Sequence, residues 1–225
     1  MKKYIVLGVL FVLPIVAYLF FASGVNNFVK LPVLTENVGN VNAFRALDGE
    51  VADLDNRITV LAFFGDHPGT KKGNAFNANQ KIYKRFYQFT DFQFVAVLPD
   101  KRETEEEARA LKTELSPLTD MGKWKFVFGS ERAVEDLFYS LGSHGELDTD
   151  LSASRIFIID RERNLRGRDR DDDTGGPLYG YDATSVAVLN NKMIDDMKIL
   201  LAEYRLALKK NDDVSRRDSY LKQRK

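Results

Sequence analysis

The stretch Arg57-Ile58-Thr59-Val60-Leu61-Ala62-Phe63-Phe64-Gly65-Asp66-His67-Pro68-Gly69-Thr70-Lys71-Lys72 decides how the chain is read. Ile58 to Phe64 is apolar and β-branched with no alternating polar position after Thr59, the pattern of a central strand covered on both faces. Gly65, Asp66, Pro68, Gly69 and Gly73 then break the chain, and a polar helix-forming segment follows from about Asn74. Open α/β sheets gather reactive groups at the carboxyl ends of such strands. Asp66, His67 and Lys71 are therefore the first candidates for function.

Downstream the same alternation repeats. Asn74 to Phe89 carries Phe76, Ile82, Tyr83 and Phe86 largely on one face, the spacing of an amphipathic helix. Phe92 to Leu98 reads as a second buried strand stopped by Pro99-Asp100. Thr104-Glu-Glu-Glu opens a helix to about Leu115, with acids in the first turn where the helix dipole favours negative charge. Trp124 to Phe128 is a short strand, and Ser130 caps a helix carrying Val134, Leu137, Phe138 and Leu141. Arg155 to Asp160 is a further strand followed by a turn to Asn164. This order predicts an α/β fold, a central sheet with helices on both faces. An Asp48-Gly49 turn predicts a hairpin upstream, and Ser185 to Lys210 a long amphipathic helix downstream.

Residues 1–23 read as an N-terminal transmembrane anchor, 24–42 as a tether, 43–210 as the domain and 211–225 as a charged tail. Tyr4 to Ala22 contains no charge and at ~1.5 Å per residue is just long enough for a hydrocarbon core of ~30 Å. Lys2 and Lys3 predict a cytoplasmic N-terminus, hence a single-pass protein of the bacterial inner membrane with its domain on the periplasmic side. A cleaved signal peptide competes, because Ala22-Ser23-Gly24 supplies small residues. The length of the apolar run and bulky Phe20 favour the anchor.

Composition excludes several classes of function. The chain has no cysteine, which removes disulfides, thiol catalysis and zinc thiolate sites. Its 33 basic and 33 acidic residues balance, so no charge signal points to nucleic acid. Gly-x-Ser-x-Gly elbows, phosphate loops and His-Glu-x-x-His pairs do not occur. No catalytic residue is assigned, and no enzyme is expected. Arg166-Gly-Arg-Asp-Arg-Asp-Asp-Asp173 has clustered carboxylates suited to calcium but lacks EF-hand spacing; a charge-balanced loop of Arg–Asp pairs is the competing reading.

Taken together, the words Leu61-Ala-Phe-Phe, Trp124-Lys-Phe-Val-Phe-Gly and Ile156-Phe-Ile-Ile-Asp-Arg-Glu-Arg-Asn-Leu-Arg-Gly resemble the SCO (SenC) family of membrane-anchored thioredoxin-like proteins. Asn27 to Val33 and the helix end Ile199 to Tyr204 fit as well, and the resemblance covers most of residues 26–210. It implies a thioredoxin-like fold with a central mixed sheet flanked by helices. In that family two cysteines four residues apart and a later histidine bind copper, and its members help build the copper site of cytochrome oxidase or act as thiol reductants. Laid on the family's pattern, His67 stands at the first cysteine, Lys71 at the second and Ser152 near the histidine.

The resemblance thus implies a degenerate member without the cysteine pair, a non-catalytic binding or assembly factor with a protein partner in the cell envelope. Cytochrome oxidase assembly is the implied setting, and no cofactor is expected. The alternative is a copper carrier with a nonstandard site at His67 and His144, completed by Asp66, since imidazole binds copper or zinc. Lys71 is a cation beside that site and opposes it.

Overall fold

The computed structural model describes residues 2–22 and 30–206. Strand β3 (Ile58–Phe64) has every residue buried, as its unbroken apolar run requires. It pairs parallel with β4 (Phe92–Pro99), and β4 pairs parallel with β5 (Trp124–Gly129). Parallel neighbours need a crossover. Helices α2 (Lys72–Ala78) and α3 (Lys84–Phe86), joined through a π turn at Asn79–Tyr83, make the first, and α4 (Arg102–Leu115) the second.

On its other side β3 pairs antiparallel with β6 (Ser152–Ile159), which pairs with β7 (Leu165–Arg166) and β8 (Tyr181–Asp182). With β1 (Val33–Thr35) on β7 and β2 (Arg45–Ala46) on β5, the order is β1-β7-β6-β3-β4-β5-β2 with β8 on β6. The result is a mixed sheet of thioredoxin-like type.

Period-two alternation sends the residues of β3 into two cores. Ile58, Val60, Ala62 and Phe64 join Phe92, Phe94, Trp124 and the crossover helices on one face. There Trp124 stacks on Phe94 with ring centroids 3.7 Å apart. Leu61 and Phe63 join Val134, Leu137 and Phe138 of α5 (Glu131–Ser140) on the other. Ser130 caps α5 by accepting from the Ala133 amide at 3.2 Å. The terminal helix starts as α6 (Val186–Val188) behind the cap Ser185, widens into a π turn at Leu189–Met193 and remains helical through 206.

Several expectations are altered. The Asp48-Gly49 turn forms, with Gly49 at φ +75°, but no hairpin results, because Arg45 and Ala46 find partners in Phe128 and Val127 instead. The strand expected from Arg155 begins at Ser152, extended by its pairing with Phe64. Within the stretch read as a tether, 30–42 supplies β1 and the buried Val38 and Val41. Residues 24–29, 207–210 and the charged tail 211–225 lie outside the described residues.

The expected localisation is corrected. Helix α1 (Lys2–Ala22) has Pro14 inside it. Among the described residues no helix is long and apolar enough to cross a membrane. The placement as a single-pass inner-membrane protein with a periplasmic domain is therefore not supported, nor is the membrane as a partner.

Candidate functional site

The exit of β3 is shaped by a crossing. Gly65 sits at φ +69°, and a Cβ there would lie 2.4 Å from the Asp150 carbonyl oxygen. Only glycine fits so close an approach in the left-handed region. The Asp66 amide donates to that same carbonyl at 2.8 Å, so the strand exit and the loop 148–152 are stitched together.

Because β3 and β4 run parallel, the start of α4 lies beside the turn after β3. The Thr104 hydroxyl donates to the Asp66 carbonyl at 2.8 Å, and Lys101 Nζ to the Asp66 carboxylate at 2.9 Å. Lys101 also pairs with Glu131 at 2.8 Å. These hydrogen bonds, that to Asp66 first, hold the Lys101 ammonium above its ordinary pKa. Glu107 clamps the turn with both oxygens: one lies 3.2 Å from His67 Nδ1, and the other accepts from the Gly69 amide at 3.0 Å. The His67 ring is 58% exposed.

Lys71 reaches the far side of the crossing, with Nζ 3.4 Å from Asp148. The buried Ser152 hydroxyl contacts Asp148 at 3.2 Å and Asp150 at 2.5 Å. Burial pushes the Asp150 carboxyl up, but the Ser152 hydrogen bonds and the charge of Lys71 outweigh it and leave it below the ordinary range. The edge is thus a chain of compensated charges.

Of the residues singled out from the sequence, Asp66, His67 and Lys71 share this edge, with Ser152 beneath it. His144 does not join them. It packs edge-on against Tyr179, ring centroids 5.5 Å apart, and no hydrogen bond or ring contact among the described residues links it to His67. Among the described residues no group of three or more His, Asp or Glu side chains is arranged to hold a metal, and the Asp66 carboxylate is engaged by Lys101.

The Arg166–Asp173 loop resolves into ion pairs, but not internal ones. Arg168 holds Asp196, and Lys192 holds Asp171 and Asp173. Its charges fasten the terminal helix to the sheet, as does the Arg166–Glu203 pair.

Lys101, Glu107, Asp148 and Asp150 went unnoticed in the sequence. Glu107 read only as one of the acids in the first turn of its helix. The available signal was topological: two successive parallel strands place the next helix start against the preceding strand exit.

No family model matches the chain, and no curated protein matches it. Several solved structures are similar to it. BsSco, a member of the Sco family of cytochrome c oxidase assembly proteins, superposes with a TM-score of 0.54 at 11% identity, covering 76% of this chain and 98% of that one. Arabidopsis thaliana ScoI with copper bound gives a TM-score of 0.45 at 17% identity, over 72% and 98% of the two chains. The soluble domain of Sco1 from Bacillus subtilis gives 0.44 at 14%, over 75% and 94%. The chain therefore has the thioredoxin-like fold seen in BsSco, in agreement with the resemblance read from its sequence, and it has no cysteine.

Proposed function

We propose that this protein is a Sco-like binding or assembly factor that acts through a protein-recognition surface rather than through thiol or copper chemistry. The surface is the edge built by residues 65–71 and 148–152, and the setting is cytochrome oxidase assembly, the role named for BsSco. One observation carries this reading. At the positions that the family resemblance gives to the two cysteines, His67 and Lys71 each engage a different acid, Glu107 and Asp148, instead of converging on a common point. Exposed pairs of this kind are individually worth ~0–1 kcal/mol. A partner bearing complementary charge can exchange them at little cost, while the buried crossing beneath keeps its shape.

The test is site-directed photocrosslinking in cells, with a benzophenone side chain at Thr70 and, as control, at Asp195 on the terminal helix. Crosslinks to an oxidase subunit or assembly protein from Thr70 alone are expected. Lys71→Glu should weaken that crosslink and lower oxidase activity without altering the thermal melt. Equal capture from both positions, or full oxidase activity with Lys71→Glu, would contradict the reading.

A further inference from the structure

Away from the edge, a cavity of about 240 Å³ opens between the end of α5, the loop 143–146 and β6. At ~30 Å³ per water it holds about eight waters, so it takes one amino-acid residue rather than a cofactor. Its floor is apolar. Phe138 and Phe157 meet there as a T-shaped pair, 6.0 Å between centroids and 79° between planes, beside Ala153. Its walls are polar and carry both signs: His144, Glu146 and Arg155 line it, and all three are exposed.

Two features separate this cavity from an ordinary surface hollow. Among the described residues, the side chains of Arg155, Glu146 and His144 make no ion pair or hydrogen bond, although nearby Lys71 and Asp150 are both engaged. Ser143 also lines the cavity, and its hydroxyl is buried with no hydrogen-bond partner among the described residues. Buried hydroxyls nearly always have one, so an orphan asks for an explanation. A ligand that gives each of these groups a partner is the economical one.

We propose that this cavity binds the carboxylate end of an apolar amino-acid unit, either a free amino acid or the C-terminal residue of a polypeptide. Arg155 matches a carboxylate in bidentate geometry, the Ser143 hydroxyl donates to it, and Glu146 accepts from the N–H or ammonium on the adjoining carbon. The side chain rests on Phe138 and Phe157. A phosphate fits less well, because Glu146 repels a second negative charge. The inference uses none of the residues assigned to the protein-recognition edge and stands or falls separately. Ala153 directly follows Ser152, however, so a chain end seated here reaches that edge.

Saturation-transfer NMR on the full chain tests this with phenylalanine, N-acetyl-phenylalanine and N-acetyl-phenylalaninamide. Transfer is expected to at least one of the two acids, with the amide weaker by roughly tenfold or more, the scale of a lost charge-assisted hydrogen bond. Arg155→Gln should weaken the acids by a similar factor, and Ser143→Ala by less. Binding of N-acetyl-phenylalanine identifies a chain terminus as the natural occupant; binding of phenylalanine alone identifies a free amino acid. No transfer to either acid at millimolar concentration would overturn the proposal. So would an amide that binds as well as the acids, or undiminished binding by Arg155→Gln.

Discussion

Replacing Gly65 by alanine probes the crossing on which the candidate surface rests. An alanine at φ +69° carries the left-handed penalty of about 1–2 kcal/mol. Its Cβ would also stand 2.4 Å from the Asp150 oxygen and 2.8 Å from Ser152 Cβ. The loop must retreat, at an overpacking cost of about 1–3 kcal/mol, and the 2.8 Å bond from the Asp66 amide is lost for about 1 kcal/mol more. Gly175 provides the control: its φ is +71° and an added Cβ meets nothing within 4 Å, so Gly175→Ala pays the conformational penalty alone. The difference, about 2–4 kcal/mol, corresponds to a Tm lower by roughly 5–15 °C for Gly65→Ala than for Gly175→Ala in a domain of this size. Thermal melts of the full chain followed by circular dichroism measure it. Equal Tm losses would show that the 148–152 loop yields freely and that the crossing does not hold the site.

Other outcomes follow from the same geometry. Arg166→Met leaves Asp160 buried without its guanidinium partner and deprives the Leu31 carbonyl of two donors; a loss of about 3–5 kcal/mol in urea unfolding is expected, and a loss under about 1 kcal/mol would show that this cluster is not structural. Burial pushes the Asp171 carboxyl up, but its hydrogen bond and ion pair with Lys192 hold it below its ordinary value of 3.8. Its contribution to stability is therefore present above about pH 4 and is lost as pH falls through the depressed folded value; Lys192→Met should make the unfolding free energy less steep in that acid range, and an unchanged slope would discount the pair. The Tyr83 hydroxyl donates to the Asp120 carbonyl at 2.7 Å and accepts from the Lys123 amide at 3.0 Å, and burial is the main cause of its pKa being pushed up to about 12. Tyr83→Phe should cost about 1–3 kcal/mol, and Tyr83 should stay protonated in ultraviolet titration to near pH 12, its stabilising effect full below pH 10 and fading between those values. Calorimetric titration with copper(II) or zinc should give no stoichiometric binding at micromolar metal that His67→Ala abolishes; such binding would favour a metal carrier.

Much of the site was legible because it depends on local chain chemistry. The run Ile58–Phe64 announces a doubly covered strand, and Gly65 with Pro68 announces where it must stop. The partners were not legible, since Glu107 and Asp148 lie 40 and 77 residues from His67 and Lys71. An acid near a helix start looks the same in sequence whether it faces water or a neighbouring turn. The π turns at Asn79–Tyr83 and Leu189–Met193 left no signal, because a wider turn shifts hydrophobic spacing by less than an amphipathic pattern tolerates.

What the sequence by itself determined was chemical and periodic. Absence of cysteine removed thiol chemistry, and apolar periodicity set the strands, the helices and the two faces of the sheet, because side-chain direction follows directly from backbone repeat. What only the tertiary structure decided was convergence. It drew Asp66, His67, Lys71 and Ser152 onto one edge and left His144 beside Tyr179, and it turned the charged loop at 166–173 into a clasp on the terminal helix. Those outcomes depend on which strand exit lies against which loop. That is a property of parallel pairing and crossing chains, and no local stretch of sequence encodes it.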